Sequence, residues 1–563
     1  MKRDTIEPGP QAGSSAHPIH DEGPTAPTAS GPRHPVGGRR AFLKGAAAVS
    51  IVPAPLITRA QNGKTLKYVP SSNLTILDPV FTPAAVSITH GYCVFDTLYG
   101  VDSKFQPQPQ MAEGATVSDD KREWTIKLRE GLRFHDGEPV RAADCVASLA
   151  RWSKKDTFGQ TLGAAVDSWD AVDDRTIRIK LTRPFGQLLH AIGKPHSSPA
   201  MIMPERLAKT DPSKPVTEMI GSGPYRFLKD EYVSGDRVAY AKFDAYKPRS
   251  EKPDWTSGGK VAHFDRLEWH VIPDQATAAA ALQAGEVDWV ESVIPDLLPL
   301  LRANKDVEVM RRDPLGLMAV MRFNHQTAPF NNVKLRQAVL AAVEQEPYML
   351  SVTDGEKDSW RQCLAMFPCG MPGVSEIGKD AMKPPRDLEK ARALIKASGY
   401  AGEKVVIINP TDIASIHPHG VITADLLKKL GMNVELQDTD WGTVVQRRVS
   451  KKPVAEGGWS IALTNWPGIS IANPATNATI RGQGAKGWWG WYDDPQIEKL
   501  TQEWLAATDD ADAQRRFDAV HRRALEGVPV VPLGQFFGNT AHRKNVTGIL
   551  QGSAAFFWNV RRA

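Results

Sequence analysis

The sequence contains no apolar run long enough to cross a membrane. The best candidate, Gly45–Ile57, is uncharged for only 13 residues, whereas a spanning helix needs about 20. Pro53 and Pro55 also remove amide hydrogens that lipid cannot replace. Charge of one sign is not in excess either. Without residues 1–60, Lys+Arg falls from 69 to 62 and Asp+Glu from 64 to 60, a net charge of about +2. That balance argues against a nucleic-acid surface, which draws on a concentrated basic patch. No GxSxG or HExxH is present, and Gly63-Lys64-Thr65 lacks the upstream glycine of a phosphate loop. Cysteine is scarce, with four in 563 residues and none in CxxC spacing, which disfavours redox catalysis and zinc binding. No catalytic residue, metal site or cofactor is therefore expected.

What is present at the start is an export label. The leader Met1–Gly37 is rich in Pro, Gly, Ser and His, a composition that does not build a core. The segment "GRRAFLKGAAAVSIVPAPLITRAQ" then supplies a basic region, a short apolar region and a small-residue site, Thr58-Arg59-Ala60. Arg39 and Arg40, followed by Ala-Phe-Leu-Lys, resemble the twin-arginine signal read by an export machinery for folded cargo. No lipidation-site cysteine stands directly behind the apolar region, so a free periplasmic protein of a bacterial cell envelope is expected, not a lipid-anchored one. In an oxidising compartment disulfides are allowed. Cys363 and Cys369 flank a proline, and their spacing permits a local disulfide, with two buried thiols as the other reading. Cys93 and Cys145 read as core thiols.

The 503 residues after Ala60 suffice for two or three domains. Strand and helix signals mix throughout. Trp124, Ile126 and Leu128 alternate with polar neighbours, as do Ile177, Ile179 and Leu181, and Leu267, Trp269 and Val271. A helix is expected from the capping Asp274 to Gly285. Others are expected over "NNVKLRQAVLAAV", with Leu335, Val339, Ala342 and Val343 on one face, and over "RDLEKARALIKASGY", ending at Gly399. The class is α/β or α+β with mixed sheets.

The stretches "LDPVFTPAAVSITHGYCVFDTLYG", "WTIKLREGLRFHDGEPVRAADCVASLARW", "GSGPYRF", "IPDQATAAAALQAGEVD", "MRFNHQTAPFNNVKLRQAVLAAV", "DLEKARALIKASGY", "WGTVVQRR", "YDDPQIEKL" and "VPVVPLGQF" run in this order over residues 65–540. Together they resemble the family-5 extracytoplasmic solute-binding proteins of ABC importers, which include dipeptide-, oligopeptide- and nickel-binding members. The resemblance implies a two-lobed periplasmic-binding-protein fold with a ligand cleft and a hinge. Lobe I would comprise 61–316, with an inserted subdomain at about 98–215. Lobe II would run over 317–527, and 528–563 would return to lobe I. The crossings would lie near Gly316–Ala319 and Gly527–Pro532. The implied partners are a small-molecule or peptide ligand and the permease subunits of the inner membrane, with the protein itself a monomer.

In this setting His135 and Asp136 of "FHDG" read as a turn, and His417 and His419 of "IHPHG" as a surface loop, in preference to catalysis or metal binding. A cleft needs rigid aromatic side chains and a few oriented polar groups. Lobe I offers the stretch Thr82–Tyr92, with Tyr92, and the turn Gly221–Tyr225, with Ser222 and Gly223. Lobe II offers Trp441, Asn465 and the group Trp466, Trp488, Trp489 and Trp491, which reads as a stacking surface or cleft wall, with two or three of these four in the core as the other reading. One departure bears on specificity. Peptide-binding members carry an aspartate, in a DP pair, that meets the peptide's α-ammonium. Here that pair is Asn473-Pro474, and Gly457–Tyr492 contains no Asp or Glu, only Arg481 and Lys486. A buried ammonium needs a counter-charge, so a neutral, aromatic, sugar-like or anionic ligand, or a peptide held elsewhere, fits better than a simple dipeptide. An exported hydrolase, a nickel-type metal carrier and a sensory receptor are the rival functions.

Overall fold

The computed structural model describes residues 64–374, 377 and 379–563. Arg39, Arg40 and the cleavage site at Ala60 lie outside the described residues. The chain is built around two mixed sheets and a smaller antiparallel one.

The first sheet has seven strands. Thr65–Val69 lies at its centre, parallel to both Arg266–His270 and Trp289–Val293. Side chains alternate across a strand, and the two faces of this one differ. Val69 packs with Ala278, Ala281 and Leu282 of the helix Gln275–Ala284. Tyr68 faces the other way, with ring centroids 5.4 Å from Trp269, 5.1 Å from Trp289 and 5.0 Å from Phe557. The C-terminal strand Asn539–Arg543 is inserted antiparallel between Trp289–Val293 and Val307–Arg311. The tail of the chain thus completes the sheet that its head begins.

The subdomain inserted after this first strand is a four-stranded antiparallel sheet. It pairs Trp124 with Ile179 and Ile126 with Ile177, all buried beneath Cys145, Leu149 and Trp152 of the helix Ala142–Trp152. The apolar alternation in both segments is what sets this register, since a one-residue slip would turn every apolar residue outward.

The second large sheet, in lobe II, has six strands. Leu317–Phe323 lies between Ile461–Pro467 and Val530–Phe536, antiparallel to both. The chain therefore changes lobes between Arg311 and Leu317, and returns between Phe536 and Asn539. The first overlaps the segment expected to cross at Gly316, and the second lies beyond Pro532: Val530–Phe536 pairs along its length within the lobe II sheet, so the return to lobe I comes later than the expected residue 528. The two crossings touch: the Arg312 amide donates to the Gly538 carbonyl at 3.0 Å. Gly316 has φ of 50°, and a Cβ there would lie 2.2 Å from the Phe536 carbonyl oxygen. Only glycine permits so close an approach in that conformation.

Helix ends follow their sequence signals. Asp274, Asn332 and Asp387 each accept a backbone N–H of the first turn, and Gly285 closes its helix in the left-handed region at φ 76°. The "IHPHG" segment differs from the surface loop expected. His417 and His419 begin the helix His417–Lys429, with Pro418 in its first turn, where a missing N–H costs nothing. His419 is buried, 3.1 Å from the Tyr348 carbonyl oxygen. Cys363 and Cys369 form a disulfide, while Cys93 and Cys145 are buried free thiols.

Candidate functional site

Where the inserted subdomain meets lobe II, a cavity of about 90 Å³ is lined from both sides. Asp156, Lys194, His196 and Ser197 come from one lobe, and Trp466, Ser470, Asn473 and Thr476 from the other.

The lobe I wall is organised by charge. Lys194 follows the helix Leu188–Gly193 and is buried. Its ammonium pairs with Asp156 at 2.5 Å and also donates to the carbonyls of His196, at 2.8 Å, and Ser197. Asp156 in turn accepts the Gly159 amide and caps the helix Thr157–Gly163. Burial works against both charges, pushing the Asp156 carboxyl up and the Lys194 ammonium down in pKa. Their contact and the surrounding hydrogen bonds offset that cost. The loop so held carries two successive non-glycine residues in the left-handed region, Ser197 at φ 53° and Ser198 at φ 60°, each costing on the order of 1–3 kcal/mol. The Trp152 indole holds the Ser198 carbonyl at 2.8 Å. The strained loop presents His196 and Ser197 to the other lobe: Ser470 Oγ lies 3.1 Å from His196 Nδ1 and 2.8 Å from Ser197 Oγ. These hydrogen bonds join the lobes directly.

The lobe II wall is organised by aromatic packing. Trp466 sits at the crossing end of Ile461–Pro467, opposite Met318. Its ring meets Trp488 at 5.4 Å, edge-on, and Trp488 meets Trp489 at 4.2 Å. Behind them Arg322, fully buried, donates to the carbonyls of Trp489, Thr479 and Pro529 and lies 4.8 Å from the Trp488 ring. Burial lowers its pKa to about 9. Arg322 thereby ties the two segments that form this wall to the sheet. Trp466 Nε1 and Thr476 Oγ1 are buried with no hydrogen-bond partner among the described residues. Asn473 Oδ1 accepts the amides of Ala475 and Thr476, which leaves its NH₂ as the other end.

Of the residues singled out in the sequence, Trp466 lines this cavity. Asn465 points to the opposite face of the strand and donates to Ser415. Trp441 is half-buried beneath Arg448, which lies 5.1 Å from both the Trp441 and Trp489 rings. Trp489 and Trp491 pack on the buried Trp459. Trp491 also lines a separate hollow with His325 and Arg336, at the end of the lobe II sheet remote from the crossings. Arg481 is taken up by Glu498, at 2.7 and 2.5 Å. Tyr92 is buried in lobe I, donating to the Pro195 carbonyl at 2.9 Å and packing on Phe556 and Trp558. Ser222 is buried against Met111. Gly223 donates to Val94, and a Cβ at Gly223 would lie 2.6 Å from the Cys93 carbonyl oxygen. The close approach these glycines allow is thus to a helix end, not to the cavity. His135 clamps the same turn: its backbone amide donates to the Gly221 carbonyl at 2.8 Å and its Nε2 lies 3.0 Å from the Gly223 carbonyl oxygen. Burial lowers its pKa to about 4.

Sequence reasoning passed over Asp156, Lys194, His196, Ser197 and Ser470. A signal for Lys194 existed. It is the one Lys or Arg, with no Asp or Glu, in "LLHAIGKPHSSPAMIMP". A lone ammonium in so apolar a segment needs a partner from elsewhere.

Residues 106–488 match the family described as bacterial extracellular solute-binding proteins, family 5. The chain is 36% identical over 534 residues to a probable peptide ABC transporter periplasmic-binding protein, y4tO, of Sinorhizobium fredii, covering 94% of this chain and 100% of that one. It is 27% identical over 527 residues to the glutathione-binding protein GsiB of Escherichia coli K12, covering 91% and 96%. Among solved structures, the ABC transporter substrate-binding protein CtaP of Listeria monocytogenes superposes with a TM-score of 0.74 at 21% identity, covering 89% of this chain and 99% of that one. The chain belongs to the family-5 bacterial extracellular solute-binding proteins, and its fold is their two-lobed fold.

Proposed function

We propose that this family-5 solute-binding protein captures a short peptide or peptide-like solute in the periplasm and delivers it to the permease of an ABC importer, with ATP hydrolysed by separate subunits. The observation that carries the reading is the cavity built half from each lobe, where lobe contact and ligand enclosure are one event. A named relative that is a probable peptide-binding component, covered along its whole length, supports the peptide class. Export through the twin-arginine machinery, action as a monomer and lobe closure about the paired crossings belong to the same reading.

Binding without turnover fits the chemistry of the cleft. Ser470 Oγ beside His196 Nδ1 has the spacing of a nucleophile and its base. Burial, followed by the Lys194 and Arg312 charges, lowers the imidazole pKa to about 3, far from the range in which a general base works at neutral pH. The carboxylate in the wall, Asp156, is consumed by Lys194.

The test is a thermal-shift and native mass-spectrometry screen of di- and tripeptides on the mature protein. A bound peptide should raise the midpoint increasingly with concentration, by mass action, and be recovered intact. Recovery of cleaved peptide, or no shift with any peptide whether its amino terminus is free or acylated, would overturn the reading.

A further inference from the structure

The cavity is too small for a whole peptide. At about 90 Å³ it holds roughly the volume of three waters, which suits one end group of a solute. The chemistry of the walls decides which end. An ammonium brought out of water needs a carboxylate or several acceptors. Asp156 is the carboxylate lining this cavity, and its oxygens already hold the Lys194 ammonium at 2.5 Å and the Gly159 amide at 2.8 Å. The carbonyls of His196 and Ser197 accept from the same ammonium. Across the cavity, Asn473 Oδ1 is occupied by two backbone amides. What lobe II offers is the Asn473 NH₂, the Trp466 indole N–H and the Thr476 hydroxyl, the last two without a partner among the described residues. An indole nitrogen and an amide NH₂ can only donate.

We infer that the cavity receives an oxygen-bearing acceptor group, an acyl carbonyl or a carboxylate, and that the solute is not held by a free α-ammonium. The class of ligand is an N-acylated peptide or a similar solute whose leading nitrogen is already an amide. This rests on the peptide-like reading above and narrows it. Lys194 serves as a positioning residue: by occupying Asp156 and two carbonyls it removes the acceptors that an amine would use.

The experiment compares dipeptides with their N-acetyl derivatives by calorimetry, on the mature protein and on Asn473→Asp. In the parent protein the acetylated form should bind at least as tightly as the free form. A loss of tenfold or more on acetylation would overturn the inference while leaving the peptide reading intact. If neither form binds, the peptide reading falls and this inference with it. Asn473→Asp keeps the oxygen that caps Ala475 and Thr476 and replaces the donor by a carboxylate oxygen, so it should reverse the preference toward the free amine by about tenfold. An unchanged preference in that variant would also count against the inference. Trp466→Phe keeps the ring and removes the N–H, and should weaken the acetylated form several-fold. Equal affinity would take the indole N–H out of the site.

Discussion

The two walls of the cleft are held rigid by different physics. On the lobe I side a buried ion pair fixes a loop in a conformation that serine adopts reluctantly. On the lobe II side three tryptophans and an arginine with no carboxylate partner among the described residues form a packed plate. An ion pair is directional and fails when one partner is removed. An aromatic plate is broad and degrades by degrees. The polar wall therefore fixes individual atoms, and the aromatic wall fixes a broad packed surface.

The largest effect of any single substitution should come from breaking the charged wall on one side only. Lys194→Met leaves Asp156 buried and uncompensated, which should cost about 3–5 kcal/mol in urea unfolding. Lys194→Met with Asp156→Asn should recover much of that loss. Equal destabilisation in the single and double variants would show that the pair does not hold the wall.

Acid should act next, and on both lobes. Burial lowers His90 in lobe I to about 3 and His419 and His521 in lobe II to about 4. Such an imidazole stays neutral in the folded chain, whereas the unfolded chain binds a proton below about 6.5. Stability is thus fully present above pH 6.5 and is lost as pH falls toward 4, by about 3 kcal/mol for each such group in lobe II. Denaturant midpoints measured from pH 7 to 4.5 should decline, and His419→Gln should flatten the decline. A slope unaffected by that change would remove His419 from the account.

Trp488→Leu removes the ring that joins Trp466 to Trp489 and should cost about 2 kcal/mol, less than the loss of Lys194. A larger cost than Lys194→Met would invert the comparison. The smallest effect on stability belongs to Ser470→Ala, which deletes the contacts of Ser470 with His196 and Ser197 and leaves those two groups free to pair with water when the lobes part. It should leave the unfolding midpoint nearly unchanged and shift small-angle scattering of the ligand-bound protein toward a more open form. Scattering identical to that of the parent would exclude Ser470 as a closing contact.

Strands and capped helices were legible because their signals are local. The alternation at Trp124–Leu128 and the cap at Asp274 each depend on neighbours within a few residues. The cleft was less legible, because what places Lys194 is Asp156, and what completes His196 is Ser470, 274 positions away. Trp466 was found because a dense tryptophan group marks itself, but the same density could not say that Trp489 and Trp491 turn inward onto Trp459. The glycines at 221 and 223 were read as part of the ligand cleft, whereas the close approach they make is to backbone elsewhere in lobe I. Their partner is the helix end at Cys93–Val94, which composition alone does not reveal.

The insertion of Asn539–Arg543 into the lobe I sheet carries a consequence for synthesis. Thr540 Oγ1 donates to the Val290 carbonyl across a separation of 250 residues. While the ribosome is still making lobe II, the edges of Trp289–Val293 and Val307–Arg311 that this strand will fill are unpaired, and unpaired edges invite pairing with other chains. Lobe II can close its own sheet at Phe536, a few residues before the strand that finishes lobe I emerges. The half of the protein made first is thus the half completed last, and a chain cut short near its end would forfeit its beginning.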